Sequence, residues 1–109
     1  MRNSFGLLDT DIETIILTLR KHPKVERACI FGSRAKGNFK NGSDVDIALK
    51  GADLDLDTMS RISYWLNEET NMPYKFDILI YDSIDEVILK EQIDRVGIEF
   101  YIRRNEQDL

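Results

Sequence analysis

Four short apolar segments, separated by stretches with helical periodicity, constrain the fold of this chain more than any other feature. The segments cover residues 25–31, 44–49, 74–81 and 98–102, and they are rich in the β-branched and aromatic residues that strands favour. A chain of 109 residues has room for one hydrophobic core, so these strands are expected to join one sheet. The alternation of strands and helices predicts an α/β (α+β) fold, a mixed β-sheet with helices packed on it, as one domain over residues 1–109.

Capping patterns place the helices between these strands. Residues 10–13 form a capping box ahead of apolar residues at helical spacing, and this helix should end near Pro23. The second helix has three candidate N-caps, which are Asp53, Asp55 and Asp57. Residues 83–86 form another capping box, which predicts a helix through about Val96 with Gly97 as its C-cap.

Three residues that could suggest chemistry are interpreted as structural. Cys29 lies inside a predicted strand and is expected in the core. As the single cysteine it allows no internal disulfide and fits a reducing compartment. Tyr64 and Trp65 follow the apolar spacing of the second helix, so we expect them to pack within it rather than to stack on a base.

The charge and hydropathy of the chain disfavour some classes of function. Asp and Glu number 20 against 15 Lys and Arg, and the net charge of -5 without a basic stripe argues against direct nucleic-acid binding. No apolar run approaches the ~20 residues that cross a bilayer, and the first residues lack the apolar core of a signal peptide. We expect a cytoplasmic protein that contacts neither nucleic acid nor membrane directly. The sequence is compatible with a homo-oligomer.

Three aspartates on two predicted strands carry the strongest chemical signal. Asp44 and Asp46 alternate with apolar residues, so their side chains should share one face of a strand. Asp77 interrupts another apolar strand, where an unpaired carboxylate is costly. Neighbouring like charges are unfavourable without a cation, and Mg²⁺ prefers oxygen ligands. All three aspartates are therefore candidate metal ligands and catalytic residues.

A glycine-serine pair after the first predicted strand indicates a phosphate site. Gly32 permits a sharp turn and close approach to a ligand, and Ser33 adds a hydroxyl to the N–H groups of the turn. Arg34 or Lys36 could add positive charge nearby. A phosphate site beside paired carboxylates predicts a metal–nucleotide site whose chemistry is in-line attack at phosphorus.

These residues together resemble a known family signature. Gly32-Ser33, ten intervening residues and then Asp44-Val45-Asp46 are similar to the GS-x10-DxD signature of the DNA polymerase β-like nucleotidyltransferases. Residues 31–37 and 43–46 resemble the minimal nucleotidyltransferase (MNT) branch of that superfamily.

The resemblance implies a role for each site residue. Metal ligands are implied at Asp44 and Asp46, and triphosphate contacts at Gly32 and Ser33. A third carboxylate is implied at Asp77, which is placed by its strand context rather than by spacing. The alternative third carboxylate is Asp82, which lies at the end of that predicted strand.

The resemblance also implies a reaction and a partner. The implied reaction transfers AMP from Mg-ATP, with two Mg²⁺ ions, to an acceptor hydroxyl and releases pyrophosphate. In the MNT branch the acceptor is commonly a tyrosine of a HEPN-domain toxin, so this chain would be the antitoxin of a toxin–antitoxin pair. A chain of 109 residues has no further domain to hold the acceptor, so a HEPN-domain protein is the expected partner.

Two other functions are compatible with the sequence. A non-catalytic antitoxin module would neutralise a toxin by covering it, and it would not need Ser33 or the three aspartates. A small-molecule adenylyltransferase of the kanamycin type would need a partner or a dimer to bind its substrate. The presence of Ser33 and all three aspartates argues against the non-catalytic module.

Overall fold

A twisted layer of strands organises the chain, and the computed structural model describes it for residues 5–104. Within those residues the strands are β1 (Arg27–Phe31), β2 (Val45–Lys50), β3 (Phe76–Ile80) and β4 (Ile98–Ile102). Their order across the sheet is β3-β2-β1-β4. Strand β1 is antiparallel to β2 and β4, whereas β2 is parallel to β3. The sheet is mixed, which confirms the predicted fold class.

Helices connect the strands and cover the sheet. They are α1 (Asp9–Arg20), α2 (Gly32–Lys36), α3 (Leu56–Tyr64) and α4 (Val87–Val96). A π-helical turn, Trp65–Glu69, continues α3, and a 3-10 turn, Tyr81–Ser83, follows β3. Among residues 5–104, no helix combines the length and apolar composition needed to cross a membrane.

The two faces of the sheet are covered unequally. On the first face, α1 and α3 help to bury the larger core, which includes Ile15, Leu19, Val45, Ile47, Leu49, Ile62, Phe76 and Ile78. On the second face, α4 covers a smaller cluster made of Cys29, Phe31, Ala48 and Ile93. Cys29 is a buried free thiol, as predicted. Because α4 covers only part of the second face, polar side chains occupy the rest.

Side chains on the second face form rows that cross the strands. The register pairs Phe31 with Asp46 and Asp46 with Asp77. We call this row the carboxylate row, after its two aspartates. The next row is apolar and consists of Cys29, Ala48 and Leu79. The carboxylate row therefore borders directly on the cluster that α4 covers.

The capping predictions are correct for one helix and wrong for two. Asp55 caps α3, because its side chain accepts a hydrogen bond from the Thr58 N–H at 2.8 Å. Helix α1 begins earlier than predicted, and Asp11 rather than Glu13 accepts a bond, at 3.1 Å, from the Leu8 N–H.

The start of α4 is also later than the pattern at residues 83–86 predicts. Ile84 has an extended backbone, donates its N–H to the Tyr81 carbonyl and packs against the second-face cluster. Burial of Ile84 thus outweighs the local capping pattern, and the N-cap is Glu86. Gly97 ends α4 as predicted but with an extended backbone, and a Cβ there would lie 2.5 Å from the Ile93 carbonyl oxygen.

The expected packing of Tyr64 and Trp65 is wrong. Their exposed fractions are 58% and 43%, whereas Ile62 and Leu66 are buried. The buried face of the helix runs through Ile62 and Leu66, which are four residues apart, and Tyr64 and Trp65 lie beside that face.

Candidate active site

The turn between β1 and α2 has a backbone that favours glycine. Gly32 has φ +71, in the left-handed region that side chains disfavour. A Cβ on Gly32 would also overlap the carboxylate of Asp46. The backbone of the turn therefore lies directly against Asp46, and Ser33 follows in the first turn of α2.

The sheet brings two of the predicted carboxylates side by side. Asp46 and Asp77 are register partners on the parallel strands β2 and β3, so their side chains leave the same face. Asp44 lies one residue before β2 and is exposed, as is Asp77, whereas Asp46 is partly buried. Of the three aspartates, Asp46 is therefore the one that is close to both of the others, to Asp44 along the chain and to Asp77 across the strands.

Asp46 is a carboxyl group whose ionised form is disfavoured. Burial, and then the charges of Asp77 and Asp44, raise the pKa of Asp46 from 3.8 to about 6, while the Arg34 guanidinium acts in the opposite direction. Both causes would be relieved by a cation beside the carboxylates. The electrostatics of the site therefore favour a positively charged ligand.

The carboxylates do not converge into a closed cage. Over residues 5–104, no group of three or more His, Cys, Asp or Glu side chains is close enough together to hold a metal ion. Like charges repel, and Asp44 and Asp77 are both exposed to the solvent. The structure thus places the three predicted ligands as neighbours with their carboxylates apart.

Arg34 has a position that differs from the predicted nucleotide contact. Its side chain is only 2% exposed, and it donates hydrogen bonds to the Phe5 carbonyl at 2.8 Å and to the Ser43 carbonyl at 2.8 and 3.2 Å. The guanidinium also lies 5.1 Å from the ring centroids of Phe39 and Tyr74. With its donors satisfied inside the protein, Arg34 braces the loop and is not presented to a phosphate, whereas Lys36 is exposed.

This bracing network contains the residues that sequence reasoning missed. Ser43 immediately precedes Asp44, so the bonds from Arg34 fix the chain where it enters β2. Tyr74 packs on Arg34 and donates its hydroxyl to Asp11 at 2.9 Å, which ties the start of β3 to α1. Tyr74 stands in a predicted strand without any pattern that distinguishes it, so the sequence offered no signal for this role.

Comparison with protein families gives a match over most of the chain. The model described as "Polymerase beta, Nucleotidyltransferase" matches residues 13–106. A curated protein of Methanocaldococcus jannaschii, named as a candidate protein adenylyltransferase, MJ0435, is 39% identical over 85 residues. That alignment covers 73% of this chain and 88% of the relative.

Solved structures with the same fold include antitoxins in complex with toxins. A toxin–antitoxin crystal structure with AMP-PNP has a chain with a TM-score of 0.71 and 27% identity, covering 93% of this chain and 77% of that chain. A complex of an MNT antitoxin with the tri-AMPylated HEPN toxin of Shewanella oneidensis gives a TM-score of 0.65 and 25% identity. That similarity covers 91% of this chain and 74% of that chain.

Proposed function

This chain belongs to the polymerase beta nucleotidyltransferase family, and from that membership we propose that it transfers AMP from ATP to a hydroxyl group of a partner protein. The observation that carries the proposal is the contact between the Gly32 turn and Asp46, with Asp77 as its register partner. A phosphate-binding turn and a carboxylate pair meet at one point, as nucleotidyl transfer requires.

Each residue of the site has a role in this reaction. The Gly32–Ser33 turn binds the phosphates of ATP through backbone N–H groups and the Ser33 hydroxyl. The acceptor oxygen forms a bond to the α-phosphorus while the bond from that phosphorus to the bridging oxygen breaks, so pyrophosphate leaves. An oxygen of the Asp77 carboxylate receives the hydroxyl proton, because Asp77 is exposed where an acceptor can approach.

The same carboxylates suit Mg²⁺, which members of this superfamily use with ATP. Asp44, Asp46 and Asp77 offer hard oxygen donors. Burial, and then the charges of Asp77 and Asp44, raise the pKa of Asp46, and a divalent cation beside the carboxylates would favour its ionised form. The exposed side chains of Asp44 and Asp77 can change rotamer within nanoseconds, so their separation does not prevent joint ligation. When bound, the two ions would activate the acceptor oxygen and neutralise charge on the leaving pyrophosphate.

We propose that the acceptor is a tyrosine of a HEPN-domain toxin and that this chain is the antitoxin. The support comes from the similar chains, one in a complex with AMP-PNP and one beside a tri-AMPylated HEPN toxin. An open site on a small domain also needs its acceptor to be held by another molecule, because orientation supplies much of the rate.

The test is transfer of label from ATP to the HEPN-domain protein encoded beside this chain. The two proteins are incubated with Mg²⁺ and ATP labelled at the α-phosphate, and adducts are mapped to tyrosines by mass spectrometry. We expect AMP on the partner with the wild type and with Asp53→Asn, an exposed aspartate outside the site. Asp46→Asn and Asp77→Asn should abolish the adduct.

Two results would contradict the proposal in different ways. Neutralisation of the toxin by the wild type without any adduct would favour the non-catalytic binding module. Normal transfer by Asp46→Asn would show that the reaction does not use the carboxylate row.

A further inference from the structure

An apolar groove opens at the edge of the sheet formed by β3, next to the carboxylate row. It lies between the first turns of α3 and α4 and has a volume of about 590 Å³. Its apolar lining includes Leu54, Leu56, Met59, Leu79, Ile84 and Leu89. A groove of this kind is wide enough to accept side chains from another protein.

Large apolar side chains stand exposed around this groove. Val87 and Ile88, in the first turn of α4, are 68% and 82% exposed, and Leu56 at the start of α3 is 69% exposed. Single exposed apolar residues are ordinary, but several beside one apolar groove mark an interaction surface. Leu56 lines the groove, and Val87 and Ile88 lie in the chain between the lining residues Glu86 and Leu89. We call the groove together with these three residues the α3–α4 surface.

The charged side chains that line the groove are all acidic, although Lys24 offsets one of them, Asp55. Asp55, Asp85 and Glu86 line the groove, and its lining within residues 5–104 includes no Lys or Arg. Asp55 forms an exposed ion pair with Lys24, at 2.6 Å, whereas Asp85 and Glu86 are exposed at the start of α4. An apolar floor with an acidic rim is complementary to an apolar stripe flanked by basic residues.

The groove also lies close to the reacting groups. Leu79, in its floor, is two residues after Asp77 on the same face of β3, a separation of about 6.6 Å along a strand. A segment bound in the groove can therefore reach the carboxylate row within about two extended residues or about one turn of helix.

We propose that the α3–α4 surface binds an amphipathic helix with basic flanking residues, belonging to the protein that supplies the acceptor hydroxyl. Apolar side chains of such a helix fill a groove at spacings of three and four residues, while its flanks meet the acidic rim. This proposal rests on the proposed function, because it assigns the acceptor's docking site beside the same carboxylates.

The first test measures binding to the HEPN-domain partner without asking for catalysis. Ile88→Asp introduces a charge in the first turn of α4, next to the lining residue Leu89, and Leu17→Asp makes the same change at a 55% exposed leucine on α1. Both variants are expected to fold, because both positions are exposed. We expect about tenfold weaker binding for Ile88→Asp and unchanged binding for Leu17→Asp.

A second test uses a probe that does not depend on the partner. A synthetic helix with leucines on one face and lysines on its flanks is titrated onto the isotopically labelled chain, and a matched helix carries glutamates in place of the lysines. We expect the lysine helix to shift the resonances of Leu79 and Leu89 and the glutamate helix to bind at least about tenfold more weakly. The double variant Asp85→Lys/Glu86→Lys should reduce that preference while leaving the apolar floor intact.

The outcomes separate this proposal from the proposed function. Binding that depends on Ile88 but yields no AMP adduct supports the groove and contradicts the transfer activity. Transfer and binding that are equal in Ile88→Asp and Leu17→Asp overturn the groove proposal and leave the transfer activity intact. Self-association of the chain that Ile88→Asp abolishes would assign the surface to a second copy and also overturn the proposal.

Discussion

At the scale of single residues, two separate constraints favour glycine at position 32, one from its backbone conformation and one from the space that Asp46 occupies. Its positive φ disfavours any side chain, and the space that a Cβ would need is taken by the Asp46 carboxylate. Gly37 also has a positive φ, of 85°, but a Cβ there would meet nothing within 4 Å. Substitution of each glycine by alanine can therefore distinguish the effect of backbone strain from the effect of displacing Asp46.

We predict that Gly32→Ala reduces nucleotidyl transfer far more than Gly37→Ala does. Each substitution should lower the free energy of unfolding by about 1–2 kcal/mol, because an L-residue is strained in the left-handed region. In Gly32→Ala the methyl group also pushes the Asp46 carboxylate from its position, and transfer should fall by more than about tenfold. Urea denaturation and initial rates of adduct formation measure the two effects, and equal rates in the two variants would contradict the assignment.

Asp46 gives a prediction that depends on pH. Its pKa is raised from 3.8 in the unfolded chain to about 6 in the folded protein, so the folded state holds the proton more tightly and stability falls as pH rises through this range. Asp46→Asn removes that penalty. In the presence of a chelator, we expect the variant to be more stable than wild type at pH 7.5 by about 1 kcal/mol, a figure reduced for solvent screening at a partly exposed group.

The difference in stability between Asp46→Asn and the wild type should disappear near pH 4, where the wild-type carboxyl is protonated in the folded state. Thermal or urea denaturation at the two pH values measures it. A variant that is less stable than wild type at pH 7.5 would show that Asp46 forms favourable contacts that outweigh the repulsion.

At the scale of elements, Arg34 holds the loop from α2 to β2 together with a local turn, in which the Lys40 N–H donates to the Ser43 hydroxyl at 2.9 Å. The guanidinium is buried and donates to the carbonyls of Phe5 and Ser43, which lie on opposite sides of it in the chain. This arrangement fixes the point from which Asp44 and Asp46 project.

We therefore predict that Arg34→Met destabilises the protein by about 3 kcal/mol, because it leaves two carbonyl groups without their donor. The matched change Lys36→Met, at an exposed position two residues later, should cost less than about 0.5 kcal/mol. Urea denaturation compares them. If both variants unfold at the same urea concentration, Arg34 does not brace the loop.

The strands could be predicted from the sequence more closely than the helix starts. Residues 98–102 form β4 as predicted, because their apolar character and the preceding glycine agree with the tertiary environment. The start of α4 could not be predicted, because burial of Ile84 on the second face competes with a local capping pattern. The position of Trp65 was predicted wrongly because the buried face of the helix passes through its neighbour Leu66, four residues after Ile62.

In the candidate site, too, some features could be predicted from the sequence and others could not. Gly32, Asp44 and Asp46 are close in sequence and form a short signature, so their grouping could be predicted from spacing. The position of Arg34 depends on the Phe5 carbonyl, which lies on a distant segment of the chain. A local pattern shows only that Arg34 follows the Gly32 turn. The folded chain shows that the guanidinium donates hydrogen bonds to backbone carbonyls.

At the scale of the whole molecule, ligand binding should connect the separate parts of the site. ATP is expected at the α2 turn and Mg²⁺ at strands β2 and β3, so the two together should stabilise the protein more than either does alone. At a hundredfold excess over Kd the stabilisation is about 2.7 kcal/mol, equivalent to roughly 10 °C in Tm for a domain of this size. Thermal denaturation with Mg²⁺, ATP and both ligands measures this shift.

The double variant Ser33→Ala/Asp44→Asn is the control for this shift. It should unfold at the same temperature with and without Mg-ATP, because it lacks a phosphate contact and a carboxylate. A shift equal to that of the wild type would place the nucleotide elsewhere on the molecule.

The parallel pairing of β2 with β3 has a consequence for how the protein acquires its activity during folding. Strands β1 and β2 are neighbours in sequence, so the Gly32 turn and Asp46 can meet through a local antiparallel pairing. Asp77 joins them only after α3 has crossed over and β3 has docked, a non-local step of high contact order that is intrinsically slower. A nascent or partly folded chain would therefore carry the proposed phosphate-binding turn without Asp77, and we expect it to become active only when β3 is in place.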